Sequence, residues 1–159
     1  MELARSATLV AAIVAMGLMA GLFCAYAYSV MPGLARTDDR TLAVAMRSIN
    51  RAILNGWFFA GYVGAVVLTA VTGVLHLIDG APTATVAWIA AAFVLYVVVL
   101  GITARINVPL NNRLDASADP ARDPDFAAAR AAFEAPWVRW NVVRTVTSTL
   151  AFACLVMAR

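Results

Sequence analysis

The chain alternates long apolar runs with polar connections. Four runs approach or exceed the roughly 20 residues that an α-helix needs to cross a bilayer. They cover about residues 6–31, 56–78, 83–104 and 136–157. The pattern predicts an all-α integral membrane protein with one domain over residues 1–159, a four-helix bundle. The first run follows Arg5 and ends near a small-residue sequence, as in a signal peptide, but its apolar part is too long and is interpreted as a span.

Polar side chains of the fourth run share one face of its helix. They follow one another at helical spacing and are Trp137, Trp140, Asn141, Arg144 and Ser148. An arginine more than one turn inside an apolar span costs several kcal/mol unless it is paired, hydrated or turned into a bundle. We therefore expect the other helices to surround Arg144.

The connection between spans one and two predicts an additional amphipathic helix over about residues 38–55, beginning with N-cap residues. Its apolar positions share one side and are Leu42, Met46, Ile49 and Ile53. Its arginines are expected on the other faces and are Arg40, Arg47 and Arg51. Such a helix either lies at the membrane interface or continues into span two. Both alternatives bring Asn50 and Arg51 to the point where it meets the membrane.

Prolines mark the predicted helix ends on the same side of the membrane. Met31-Pro32-Gly33 is expected to stop the first helix, and Pro109 to stop or kink the third. Residues 105–135 then form a loop that contains a short helix from Asp125 to Glu134. Pro136 begins the fourth span.

Composition and charge agree with a membrane location. Hydrophobic residues make up 63% of the chain and the mean hydropathy is +0.82, beyond an ordinary soluble composition. All twelve basic residues are arginine. Nine lie in the two long connections and are Arg36, Arg40, Arg47, Arg51, Arg105, Arg113, Arg122, Arg130 and Arg139. Because only Arg5 and Arg159 flank the other side, the positive-inside rule predicts cytoplasmic long loops and extracytoplasmic termini in the cell membrane. Acidic residues are interspersed with the arginines, so no nucleic-acid partner is expected.

The residue types argue against several chemistries. One histidine, no CxxC pair and no clustered carboxylates provide no conventional site for zinc, non-haem iron or bis-histidine haem. There is neither a Walker loop nor a dinucleotide fingerprint. No acidic residue lies within a span, which weighs against a proton-coupled transporter. We therefore expect no metal and no cofactor.

A polar pocket is predicted at the arginine-rich end of the bundle. Its predicted members are Tyr26, Asn50, Arg51, Asn107, Asn111, Asn112, Trp137, Trp140, Asn141 and Arg144. Aromatic walls, amide groups and a buried cation suit a flat aromatic molecule that is, or becomes, anionic. In a low dielectric, the cation would stabilise a developing phenolate or enolate. The same groups can instead pin helix ends together, and spacing alone leaves both interpretations open.

Five segments carry a family resemblance. They are Gly21-Leu-Phe, Val30-Met-Pro-Gly-Leu, Met46-Arg-Ser-Ile-Asn50-Arg, Asn107-Val-Pro-Leu-Asn111-Asn112 and Trp137-Val-Arg-Trp140-Asn141-Val-Val-Arg144-Thr. Together they resemble the anthrone oxygenase-like family of small four-span membrane proteins. Some fungal members oxidise an anthrone to an anthraquinone with molecular oxygen and no cofactor, whereas many bacterial members have no assigned activity.

The resemblance implies a mechanism and residue roles. An anthrone methylene loses a proton, and the resulting anion reduces oxygen directly. Arg144 and Asn141 would be catalytic, with Arg144 stabilising the anion. Asn111, Asn112 and Asn141 would orient its oxygens, and Trp137 and Trp140 would stack on its rings. Family members often carry histidine directly after the motif asparagine; Val142 stands there in this chain, and the base is unassigned.

Two function classes stay open. One is a cofactor-independent monooxygenase acting on a lipophilic aromatic molecule. The other is a non-enzymatic membrane protein that binds a lipid or a quinone-like ligand, or a structural subunit of a membrane complex. Membrane lipid and a lipophilic aromatic molecule are the expected partners. The GxxxG spacing of Gly17 and Gly21 fits ordinary helix packing and also leaves a homo-oligomer open.

Overall fold

The computed structural model describes residues 2–119, 121 and 124–159. The helices are α1 (Glu2–Ala25), α2 (Met31–Leu34), α3 (Asp39–Ala52), α4 (Gly56–Ile78), α5 (Thr83–Ile102), α6 (Val108–Ser117) and α7 (Phe126–Met157). Two π-helical turns, Tyr26–Val30 and Thr103–Asn107, join α1 to α2 and α5 to α6. No strand occurs among these described residues, so the predicted all-α fold is confirmed. Arg122, one of the predicted loop arginines, lies outside them.

Four helical stretches are long and apolar enough to span a membrane, as predicted. They are Glu2–Leu34, Gly56–Ile78, Thr83–Ser117 and Phe126–Met157. Helix α1 packs along α4 and α7, and α5 packs along the same two helices, which closes a four-helix bundle. At Gly17, an added Cβ would lie 3.1 Å from the Phe152 ring, whereas at Gly21 it would meet nothing within 4 Å. Gly17 therefore serves close packing within the chain.

The protein has two separate hydrophobic cores. The bundle core lies between the spans and includes Met16, Phe23, Ala65, Tyr96 and Leu155. The cap core lies between α2, α3, α6 and the start of α7, and includes Met31, Leu42, Met46, Leu114, Phe133 and Trp137. We call these three helices and the start of α7 the helical cap. Much of the predicted 105–135 loop is thus helical, because its apolar residues are buried against α3.

Three of the prolines do not end or begin helices as expected. They are Pro32, Pro109 and Pro136. The N–H of Met31 donates to the Tyr26 carbonyl and that of Val108 to the Thr103 carbonyl, each five residues back. Each widened turn precedes a proline, where an α-helical carbonyl would collide with the ring. Pro136 lies inside α7. Phe133 and Trp137, on either side of it, are both buried in the cap core, and this packing outweighs the local preference of proline.

Helix α3 is separate from span two. The Asp38 side chain accepts the Thr41 N–H at 2.9 Å and caps α3, and hydrogen bonds from Thr41 hold the pKa of Asp38 below its usual range. Asn55 accepts the Phe58 N–H at 3.1 Å and begins α4 anew. These two caps fix a corner between α3 and α4, three residues long, at the rim of the bundle.

Arg47 is buried, although it lies on a different face of α3 from the predicted apolar side. Arg47 is only 8% exposed, and its guanidinium donates to Asp115 Oδ1 at 3.2 Å and to the Ala118 carbonyl at 2.9 Å. The physical reason is that α3 packs against α6 and α7. A second face of the helix is therefore covered by protein, and the arginine on that face needs partners there.

Candidate functional site

A cavity of about 230 Å³ lies where the two cores meet. Phe23 of the bundle core and Trp137 of the cap core both line it. Its wall draws on the end of α1 and its π-helical turn, the corner between α3 and α4, the second π-helical turn with α6, and one face of α7. The volume is below the roughly 300 Å³ at which ligand pockets usually begin. The cavity therefore suits a compact, rigid molecule or one end of a longer one.

The cavity brings together nine of the ten residues predicted for the site. They are Tyr26, Asn50, Arg51, Asn107, Asn111, Asn112, Trp137, Asn141 and Arg144. Trp140 is half-buried and does not line it. Trp137, Asn141 and Arg144 recur at i, i+4 and i+7, and Trp140 falls at the edge of the face that they define. The roles predicted for these residues in binding and catalysis stay predictions.

Arg144 is the central cation of the cavity wall. It is 6% exposed, and its guanidinium donates to Asn141 Oδ1 at 2.9 Å and to Thr103 Oγ1 at 3.4 Å. The guanidinium carbon lies 4.6 Å from the centre of the Phe23 ring and 5.5 Å from that of Trp137. Among the described residues, no carboxylate forms an ion pair with it. The charge is held by ring faces and neutral oxygens alone.

The aromatic wall is itself fixed by hydrogen bonds. Trp137 Nε1 donates to Asn111 Oδ1 at 2.8 Å, and the rings of Trp137 and Tyr26 have centroids 5.6 Å apart. Asn141 Nδ2 donates to the Phe23 carbonyl at 3.0 Å. These contacts hold α7 against α1 and α6. They also set the orientation of the Trp137 ring before any ligand binds.

Several polar atoms of the cavity wall have no hydrogen-bond partner among the described residues. They are Nδ2 of Asn50, Nδ2 and Oδ1 of Asn107, and Nε of Arg144, all buried. A buried polar group left unpaired destabilises a protein by roughly 1–3 kcal/mol, so such groups are few in native structures. Ser148, on the same face of α7, differs because its hydroxyl donates to the Arg144 carbonyl at 2.7 Å. The unpaired atoms thus concentrate at the cavity.

The mouth of the cavity carries an ion pair. Arg51 lies 2.8 Å from Asp115 Oδ1, and their side chains are 65% and 43% exposed. Asp115 was missed from the sequence because Pro109 was expected to stop or kink the helix. With the helix continuing, Asn107, Asn111 and Asp115 follow at i, i+4 and i+8 and share one side. That spacing was the signal that could have found Asp115.

Much of the cavity wall lies in a part of the chain that matches a known protein family. The family model described as Anthrone oxygenase matches residues 57–154, more than half of the chain. The chain belongs to the anthrone oxygenase family. The matched range includes cavity residues of this chain from the second π-helical turn, α6 and α7, among them Asn107, Asn111, Trp137, Asn141 and Arg144. Searches of curated proteins and of solved structures found no match.

Some cavity residues of this anthrone oxygenase family member lie outside the part of the chain that the family model matches. Tyr26, Asn50 and Arg51 precede the matched residues and reach the cavity through the packing of α1 and α3. Phe23, Phe58 and Thr103 also line it and were not predicted. Phe23 closes the Gly21-Leu-Phe segment of the family resemblance, which was the available signal. Phe58 and Thr103 are ordinary span residues by sequence, and only packing reveals them.

Proposed function

We propose that this protein is a membrane oxygenase that oxidises the activated methylene of a lipophilic aromatic molecule, such as an anthrone, with O2 and no cofactor. The observation that carries the proposal is the buried guanidinium of Arg144 in the cavity wall, held without a carboxylate among the described residues. A buried cation without a counter-charge is costly. An anion forming in the cavity would offset that cost, which favours the transition state over the neutral ground state.

The proposed reaction converts a ring methylene to a carbonyl. The methylene loses one proton, and its electron pair spreads onto the aromatic oxygens. This anion passes electrons to O2 and forms a carbon–oxygen bond; cleavage of the oxygen–oxygen bond and loss of the second hydrogen give the ketone. The carbon is oxidised, one oxygen atom becomes the carbonyl oxygen, and the other leaves as water with both hydrogens.

Each cavity residue has a definite part in this proposal. Arg144 stabilises the anion, and Trp137 provides a ring face on which the substrate stacks. Asn141 was predicted to be catalytic, but its Oδ1 accepts from Arg144 and its Nδ2 donates to the Phe23 carbonyl. Its proposed role is therefore positioning: it aims the guanidinium. Asn111 positions Trp137 in the same way through its hydrogen bond to Nε1.

The carboxylate at the mouth favours a second candidate function. Asp115 is the one acidic residue among those that line the described cavity, and its Oδ1 accepts from both Arg47 and Arg51. A carboxylate engaged by two guanidinium groups is poorly available as a base. Without a base, the same cavity would bind a quinone-like molecule and not turn it over.

Oxygen uptake by detergent-purified protein separates the two candidates. With emodin anthrone, and after subtraction of spontaneous autoxidation, the oxygenase should consume one O2 per anthraquinone formed. Isotopically labelled O2 should place one labelled atom in the new carbonyl. Uptake equal to the protein-free blank, together with saturable binding of the anthraquinone, would reject the oxygenase and support the binding protein.

A further inference from the structure

Asn107 is the most completely unpaired side chain of the cavity wall. It is 1% exposed, and neither amide atom has a hydrogen-bond partner in the part of the chain that the structure describes. To satisfy this side chain, a bound molecule must place a hydrogen-bond acceptor beside the amide N–H and a donor beside the amide oxygen.

A π-helical turn sets the position of Asn107. The Val108 N–H reaches back five residues to the Thr103 carbonyl, which places one extra residue in the turn. Asn107 is buried in this turn, whereas Ala104 and Arg105, just before it, are exposed. Turns of this kind are frequent at functional sites. The widened turn thus buries an amide for which residues 2–119, 121 and 124–159 supply no hydrogen-bond partner.

The other unpaired atoms of the wall are all donors. They are Nδ2 of Asn50 and Nε of Arg144. Together with Asn107, the wall offers three groups that donate and one oxygen, Oδ1 of Asn107, that accepts. A complementary ligand carries several acceptor oxygens and at least one hydroxyl. The nearby rings of Phe23 and Trp137 require that these oxygens sit on a flat aromatic frame.

We propose that Asn107 is a specificity-determining residue that selects aromatic ketones or quinones carrying a free phenolic hydroxyl over their O-methylated or unsubstituted counterparts. The proposal rests on the proposed function only in that it uses the same cavity for a flat aromatic ligand. The Asn107 oxygen accepts the phenolic hydrogen, and its N–H donates to an oxygen of the ligand. A methyl ether cannot donate, so it leaves Oδ1 unpaired once the ligand fills the cavity and displaces water from it.

Binding of compounds that cannot be oxidised tests this without relying on turnover. The probes are 2-hydroxyanthraquinone, 2-methoxyanthraquinone and anthraquinone, titrated at pH 6, with quenching of tryptophan fluorescence as the readout. In these compounds the hydroxyl is too far from a ring carbonyl to bond to it internally. Wild-type protein should bind the hydroxy compound about tenfold or more tightly than either of the others.

Site-directed variants test whether Asn107 causes the preference for 2-hydroxyanthraquinone. Asn107→Leu, which keeps the approximate size and removes both polar atoms, should reduce the preference to about twofold or less. Arg113→Leu alters an exposed residue of α6 that does not line the cavity, and it should keep the preference. Melting temperatures show whether each variant is folded. If Asn107→Leu is not folded, Asn107→Ala replaces it, because alanine also removes both polar atoms and should reduce the preference in the same way.

Several results would overturn the proposal. Equal affinity of wild-type protein for the three probes would mean that water or small side-chain shifts satisfy Asn107. An unchanged preference in a folded Asn107→Leu protein would show that another residue sets the selectivity. If none of the three probes bound, the cavity would not be a site for flat aromatic ligands. Selective binding without oxygen uptake has a different meaning: it rejects the oxygenase but supports the role of Asn107.

Discussion

Replacing Arg144 with methionine should separate its chemical role from a structural one. Methionine keeps much of the length of the side chain and removes the charge. If Arg144 stabilises a reaction anion, turnover should fall steeply while the fold persists. If it only pins helices together, stability and turnover should fall together.

The expected loss of rate follows from Coulomb's law. Two unit charges 4 Å apart interact by about 4 kcal/mol at the effective dielectric of about 20 that suits protein sites. Arg144 is 6% exposed, so screening by solvent reduces this value only modestly. Since each 1.36 kcal/mol changes a rate about tenfold, Arg144→Met should lower turnover by up to about 10³-fold.

The expected change in stability is small because opposing contributions nearly cancel. The substitution removes a cation–π contact with Phe23, about 2 kcal/mol at most, and leaves Asn141 Oδ1 without its donor, roughly 1–3 kcal/mol. It also removes the several kcal/mol needed to bury an unpaired guanidinium. The free energy of unfolding should therefore change by no more than about 2 kcal/mol.

Oxygen uptake with emodin anthrone and thermal unfolding in the same detergent measure both quantities. Arg139→Met is the matched control, because Arg139 lies on the same helix, is exposed, and does not line the cavity. The control should retain turnover. A folded Arg144→Met protein with wild-type turnover would refute the electrostatic reasoning, and so would an equal loss in Arg139→Met.

Three further expectations concern the fold. Arg47→Met should reduce the free energy of unfolding by roughly 1–3 kcal/mol, because it leaves the buried Ala118 carbonyl without its donor while Asp115 keeps its ion pair with Arg51, and chemical denaturation should detect the change; a loss below about 0.5 kcal/mol would contradict this. Gly17→Leu should lower the melting temperature because its side chain would collide with the Phe152 ring, whereas Gly21→Leu should leave the melting temperature unchanged. Equal losses in the two variants would instead indicate that another chain packs against the face of α1 that carries both glycines. Reporter fusions should place both termini outside the cytoplasm, as the arginine distribution predicts; cytoplasmic termini would reverse the assignment.

The sequence determined the secondary structure of the membrane region and the residue types of the site. Long apolar runs define spans because only a helix satisfies its own backbone hydrogen bonds in lipid. The i, i+4, i+7 spacing of Trp137, Asn141 and Arg144 predicts one polar face by helical geometry alone, and these residues do line one cavity. These inferences succeed because they depend on neighbours along a single helix.

Tertiary packing decided that the helices continue at Pro32, Pro109 and Pro136 and that Arg47 is buried. A proline disfavours helix by roughly 3 kcal/mol, but a π-helical turn before Pro32 and Pro109 avoids the collision, and packing in the cap core keeps α7 helical through Pro136. Arg47 is buried because α6 and α7 pack against α3. None of these outcomes is encoded in local propensity, since each depends on apolar surface supplied by distant parts of the chain.

The cavity itself was also decided only by tertiary structure. The asparagine-rich segment could be assigned to the correct end of the bundle, but its pairing could not be predicted. Asn111 and Asn141 form hydrogen bonds to neighbouring helices, whereas Asn107 beside them has no such partner among the described residues. Identical side chains differ in this way because a hydrogen bond requires a partner within about 3 Å, and helix packing alone sets which partners come that close.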